Sequence, residues 1–302
     1  MGAIQISSGF FLLIVAMCFC ILAAGCVQTS VKNGAGTQSA GPGTGSQVSE
    51  PLNLVSISSD QAPDVIRKFI GNSSTQFNYK QTTHQSYADI YEFSSDQGSF
   101  HVNSVTGRVQ VASFYNPPTA STKEVTLDDA FTIAETYAKD KYPQLWESGN
   151  NKSVKNNVRE KTDHGNDFDY NFGWQDEYTI NDPTRSEPYV VAGPDSVGIT
   201  VLPNGAIQSY AEWVVPLDPS LNLTPDISES LAWKKATEYF DSQGVKGIIQ
   251  SSDTNSGLAV ITDKNNVQHL TWHFKASNDK GYGGEIAIDA HDGTVVMYLP
   301  CF

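Results

Sequence analysis

Basic residues are scarce: 19 Lys and Arg stand against 33 Asp and Glu in 302 residues, a formal net charge of −14. With no basic run and no basic face, binding to nucleic acid has no electrostatic support, and docking on an anionic lipid surface is disfavoured. Cysteine is scarce too. Of the four, Cys18, Cys20 and Cys26 lie near the N-terminus and Cys301 is penultimate, so no disulfide framework is available and the fold must stand on packing. Catalytic signatures are missing as well. None of His84, His101, His164, His269, His273 and His291 falls in an H-E-x-x-H motif, which removes the usual zinc-peptidase site. There is no G-x-S-x-G elbow, and no glycine-rich phosphate loop between a strand and a helix. Cys301 has no scaffold beyond it to support nucleophilic chemistry. The expectation is a non-enzymatic protein without a cofactor.

One long apolar run is present, Phe10–Ala24, and it leads into Leu22-Ala23-Ala24-Gly25-Cys26. This is a signal-peptide core followed by small residues and a Cys. It resembles the lipobox of prokaryotic lipoproteins, with Ala23 where Leu is usual. The resemblance implies a signal peptide over residues 1–26 and lipid attachment at Cys26. Read without it, an apolar stretch of about 18 residues reaching Val27 sits at the lower edge of what spans a bilayer, so an uncleaved N-terminal anchor stands beside it, as does ordinary cleaved secretion. All three place the body outside the cytoplasm, and the first two hold it on the outer face of the cell membrane. Residues 27–51 are Gly, Ser, Thr, Gln and Ala with no large apolar side chain except Val, a flexible tether that cannot build a core. Sequons at Asn72, Asn151 and Asn222 fit an exterior location.

Beyond the tether, about 250 residues suit two or three modest domains. Three segments run an alternating strand into a turn ending in Gly and out into a second alternating strand: Ser99–Val111, Gly198–Tyr210 and Gly284–Tyr298. Gly107, Gly205 and Gly293 supply the positive φ that a tight connection needs, helped by Asn204 and Asp292 before two of them. Each hairpin follows a helical pattern. Ala62, Val65, Ile66, Phe69 and Ile70 recur at helical spacing behind a possible cap at Ser59, with Gly71 as a stop. Thr126 with Asp129 three residues on reads as a capping box before Leu127, Ala130, Phe131, Ala134, Tyr137 and Ala138, and Pro143 limits that helix. A third helix starts near Asp226 or Ser228 and ends at Gly244. Glu147–Gly165 reads as a polar stretch leading to an aromatic strand with Tyr170, Phe172, Trp174 and Tyr178. In Gln268–Lys275, Leu270, Trp272 and Phe274 line one face; His269, Thr271, His273 and Lys275 line the other, which should meet solvent.

These patterns carry a resemblance. EVTLDDAFTIAETYAKDKYP and LTWHF…GYGGEIAIDAHDGTVVMY look like the start and end of PepSY domains, helix-plus-sheet modules found in propeptides of thermolysin-like metalloproteases and in many envelope proteins. FGWQDEY…GITVLPNGAIQSYAEW is similar to the longer YcdB/YcdC-type variant. The likeness covers the last two units well and the first weakly. It implies an α+β fold of two to three repeated units, each one helix packed on an antiparallel β-sheet in the PepSY/cystatin-like manner, with units over 52–118, 119–219 and 220–302. It also implies a non-catalytic protein that binds peptide or protein partners, inhibiting or modulating an extracytoplasmic peptidase or engaging another envelope protein. The alternative is an extracytoplasmic sensor or a small-ligand or metal-binding module.

Few residues remain as candidates for chemistry. His269 and His273 on a strand are about 13 Å apart, too far to share one metal. Asp163, Asp167 and Asp169 form an oxygen-rich loop of the kind calcium favours, but without the EF-hand order or its final Glu, so an acidic solvated loop is the favoured reading. Trp174, Trp213, Trp233 and Trp272 are placed for packing rather than as a binding platform. Cys26 has the sharpest prediction. Cys26→Ser should leave folding intact and abolish labelling by a lipid precursor; mass spectrometry of the mature N-terminus checks it, and an unmodified Cys26 behind an intact 1–25 refutes lipidation.

Overall fold

The computed structural model describes residues 55–301 except 86, 116, 118–122, 148, 150, 166 and 251–256. The run Phe10–Ala24, Cys26 and the 27–51 tether lie outside the described residues. Helix α1 (Ala62–Ile70) turns Ala62 and Ile66 into the interior and closes on Gly71 at φ 70°. Its N-cap is Gln61, not Ser59, and no side chain caps it, because the Gln61 amide oxygen accepts the Ser58 N–H instead, at 2.9 Å. Helix α2 (Leu127–Lys141) starts at the expected capping box. Thr126 Oγ1 accepts the Asp129 N–H at 3.1 Å, and the Asp129 carboxylate accepts the Thr126 N–H at 3.4 Å, satisfying two donors that a helix start leaves open. A 3-10 turn, Pro143–Trp146, follows. Ala130, Ala134 and Ala138 are fully buried, and this small-residue stripe lets α2 lie close on the sheet while Phe131 and Tyr137 pack at its flanks. Helix α3 (Glu229–Ser242) is capped by Ser228, whose hydroxyl accepts the Leu231 N–H at 3.3 Å, and it buries Ala232, Ala236 and Phe240.

The described strands join in one sheet. β1 (Asn78–His84), β2 (Asp89–Ser94), β3 (Gly98–Asn103) and β4 (Arg108–Phe114) form an antiparallel meander. β5 (Lys152–Asp163), β6 (Phe168–Ile180), β7 (Tyr189–Val201) and β8 (Ile207–Trp213) form a second, joined to the first where β4 meets β8. β9 (Ile249–Gln250), β10 (Gly257–Thr262), β11 (Gln268–Ser277), β12 (Gly283–Asp289) and β13 (Val295–Cys301) complete it. This third part attaches through a parallel contact, Leu258 and Ala259 of β10 beside Val191 and Ala192 of β7. The chain is α+β, with a large sheet and three helices among the described residues.

Buried apolar side chains fall into two clusters. The first gathers both α1 and α2 against β2–β4 and β6–β8, around Ile66, Phe100, Ala134, Trp174 and Tyr210. The second sets α3 against β10–β13, around Ala236, Phe240, Leu270, Phe274 and Ile286. The three expected hairpins are β3–β4, β7–β8 and β12–β13, with Gly107, Gly205 and Gly293 at φ 62°, 78° and 77°.

Two further expectations need correction. Most of the polar stretch Glu147–Gly165 is the strand β5, twelve residues long. Among the described strands it pairs only with β6, and as an edge strand it carries Lys155, Arg159, Glu160 and Lys161, which hide the alternation of Val154 and Val158. On β11, Thr271 does not meet solvent. It is fully buried and its hydroxyl donates to the Ala259 carbonyl at 3.0 Å.

The turns make a graded prediction. At Gly71 a Cβ meets nothing, whereas at Gly107 it runs into the Val55 carbonyl oxygen. Gly71→Ala should cost about 1 kcal/mol from its left-handed backbone alone, and Gly107→Ala about 2–3 kcal/mol because a clash is added. Urea unfolding midpoints check the order; equal losses contradict it.

Candidate functional site

The long hairpin β6–β7 runs through both cores. Tyr170, Phe172 and Trp174 of β6 belong to the first cluster; Tyr178 and Ile180, with Tyr189 and Val191 of β7, belong to the second. The register breaks at the crossing: Gln175 pairs with Ser196 and Glu177 with Ala192, so Asp176 alone faces Gly193, Pro194 and Asp195. A bulge of this kind bends and twists a strand pair, which is how one hairpin can serve two differently oriented cores.

Three carboxylates are buried here, with Asp176 0% exposed and Asp195 and Glu212 each 5% exposed. Asp195 is well bonded. Its Oδ1 accepts the Val215 N–H at 2.8 Å and its Oδ2 the Tyr142 hydroxyl at 2.9 Å, while its own N–H donates to Asp176 Oδ1 at 3.0 Å. Glu212 receives a two-pronged bond from Arg108, Nε to Oε1 at 2.7 Å and Nη2 to Oε2 at 2.8 Å, and also the Tyr210 hydroxyl. Arg108 Nη2 reaches on to the Lys141 carbonyl at the end of α2, at 2.8 Å, and its guanidinium lies over the Tyr142 ring at 4.8 Å. Arg108 and Glu212 therefore tie β4, β8 and α2 together. Burial alone would lower the Arg108 pKa, but its bonds to Glu212 and that residue's charge hold it above its usual value.

Asp176 differs from its neighbours because its Oδ2 accepts no hydrogen bond of normal geometry. Burial first, and then the charge of Asp195, push its carboxyl up to about 7, against the opposing influence of Tyr178 and Lys152. Burial likewise raises Asp195 and Glu212, despite their hydrogen bonds and the positive charges nearby. Gly193 is required by the same carboxyl, for a Cβ there would fall on its oxygens. The Lys152 ammonium is held beside the cluster, donating to the Gln144 carbonyl at 3.4 Å. What this arrangement can do chemically is hold or release a proton. The depression beside it, lined by Tyr87, Asn103, Gln110, Glu212, Trp213 and Val215, has about 10 Å³ of free space, room for one water and not for a metabolite.

The residues singled out from the sequence lie elsewhere. Asp163, Asp167 and Asp169 do not form a shared site: Asp163 points to Lys161 at 4.0 Å, Asp167 accepts the Phe168 N–H, and Asp169 is buried beside His164, 3.1 Å from its Nε2. Asp169 thus departs from the solvated loop expected of it. Among the described residues no group of three or more His, Cys, Asp or Glu side chains is placed to hold a metal ion. His269 sits 2.8 Å from Asp289, and His273 3.4 Å from Glu285. Cys301 is the last residue of β13, with its backbone opposite Gly283. Trp174 packs on Phe131 and Phe172, Trp272 donates its indole N–H to the Ile227 carbonyl, Trp233 meets Phe274 edge-on, and Trp213 lies on Tyr87. Cys26 lies outside the described residues. Sequence reasoning passed over Asp176, although strand parity puts it on the side of Tyr170, Phe172 and Trp174.

These features define an α+β protein whose open sheet is shared by two cores and which buries Asp176 and Asp195 where the β6–β7 register breaks. No family model matches the chain, and no curated protein does. Among solved structures, the Bacillus megaterium YpeB C-terminal domain is similar at 15% identity and a TM-score of 0.38, over 82% of this chain and 99% of that one. A TM-score that low carries no inference about chemistry or partner.

The cluster makes a pH prediction. The folded chain keeps the Asp176 proton up to about pH 7, whereas an unfolded chain releases it near pH ~4, so stability falls as pH rises between those values and levels off above. Asp176→Asn keeps the acceptor for the Asp195 N–H and removes the charge. It should raise stability at pH 8 by on the order of 3 kcal/mol, with the gain shrinking on acidification towards pH ~4. Thermal unfolding of both proteins across pH 4–8 checks this, and a variant less stable than the parent at pH 8 contradicts it.

Proposed function

We infer that the chain is a non-catalytic, membrane-tethered binding protein of PepSY type that takes an extended peptide or protein segment onto an open sheet edge, and thereby restrains extracytoplasmic peptidases. The observation that carries this reading is β13. Among the described strands it has a single neighbour, β12, and Val295–Leu299, ahead of Pro300, contains neither a charged residue nor a proline. The other long edges are guarded: β1 carries Lys80, and β5 carries Lys152, Lys155, Arg159 and Lys161. Lysine on an edge discourages pairing with another chain, so an uncharged edge is the one left able to accept a strand. The PepSY-like segments quoted above support the same reading, since such modules occur in propeptides of thermolysin-like metalloproteases. A small-ligand sensor gains nothing from the depression beside Glu212, which is too small.

The test is an inhibition assay with a thermolysin-type metallopeptidase and the tethered protein in detergent. Inhibition is expected, and Val295→Lys, at a position 36% exposed, should weaken it about tenfold (~1.4 kcal/mol) without changing the thermal midpoint. No inhibition, or inhibition untouched by the substitution, counts against the edge as the binding surface.

A further inference from the structure

The β6–β7 crossing retains a buried carboxyl that packing alone does not explain. An apolar side chain at position 176 would continue the series Tyr170, Phe172, Trp174; instead the chain places Asp176 there, fully buried, and keeps Gly193 opposite to make room for its carboxyl. A fully buried carboxyl costs stability whenever it is ionised. Its position gives that cost a consequence. On one side of the bulge β6 and β7 pair within the first core, and on the other they carry Tyr178, Tyr189 and Val191 into the second. Directly beside the bulge, Val191 and Ala192 form the parallel contact with Leu258 and Ala259 of β10.

We propose that the Asp176–Asp195 crossing is a proton-operated latch between the two cores, shut when Asp176 carries its proton and loosened when it loses it. Shut, the neutral carboxyl accepts the Asp195 N–H and holds Gly193, Pro194 and Asp195 in the bulge. On ionisation a second negative charge faces Asp195 in a buried site. The groups that bear on it are Asp195 from β7, Tyr178 from β6 and Lys152 from β5; behind Asp195 stand Tyr142, Arg108 and Glu212. Lys152 is the nearby cation able to compensate, but it is bonded to the Gln144 carbonyl. Opening the bulge lets water reach Asp176, where its carboxyl titrates normally, so opening is favoured tenfold for each pH unit until the closed form itself ionises.

Amide hydrogen exchange on the full chain in detergent, corrected for intrinsic rates, tests the latch. Between pH 5 and 8, protection of segments 189–196 and 257–260 should fall about a hundredfold, levelling above pH ~7, while segment 98–103 of β3 stays constant. In Asp176→Asn the same segments should show no such pH dependence. Flat protection in the parent chain, or an unchanged pH profile in the variant, overturns the proposal. Should the variant fail to fold, carbon-13 NMR of the Asp176 carboxyl in the parent chain decides. A midpoint above pH ~6, shared by the Gly193 amide, supports the latch, and a lower midpoint or an unresponsive amide overturns it.

Discussion

β7 is the strand on which the structure depends. It pairs with β6 along its length, with β8 near its C-terminal end and with β10 near its N-terminal end. Its side chains are divided accordingly, Val197, Ile199 and Val201 in one core and Val191 in the other. A strand shared in this way transmits strain, because packed interiors have little slack to absorb it. The bulge opposite Asp176 lets one strand satisfy both surfaces. Arg108 and Glu212 then brace the first core from the side, joining β4, β8 and the end of α2, and removing either partner would leave a buried charge alone.

Stability and the proposed latch pull apart at this crossing. Asp195 and Glu212 are each held by two hydrogen bonds of good geometry or more, whereas Asp176 has one, from the Asp195 N–H. A chain selected for stability alone has easy alternatives there, since buried polar groups can often be replaced by apolar ones without loss. The edge strand β13 poses the same tension in another form, for an uncharged edge invites unwanted pairing unless a partner is intended.

Local chemistry was legible in the sequence; long-range pairing was not. Gly107, Gly205 and Gly293 announced their turns because the needed backbone conformation is restricted to few residues, and Thr126 with Asp129 announced a helix start because both side chains act within one turn. β5 was hidden because an edge strand wears charges that blur its alternation. The shared core of α1 and α2 and the parallel join of β7 to β10 depend on which faces meet, and one sequence does not state that. Arg108 and Glu212 are 104 residues apart, beyond any motif. Asp176 was within reach of strand parity, but its partner Asp195 lies across a register break that alternation does not foresee.

The claim that β7 makes the two cores one mechanical unit is tested most directly by unfolding each core with its own reporter. Trp174 lies in the first and Trp272 in the second, so variants in which one of these is the sole tryptophan, with Trp146, Trp213 and Trp233 also replaced, report the cores separately. At pH 5 the account predicts that urea unfolds both reporters in a single coincident transition. Two transitions with separate midpoints would show that the cores stand independently and that β7 does not bind them together.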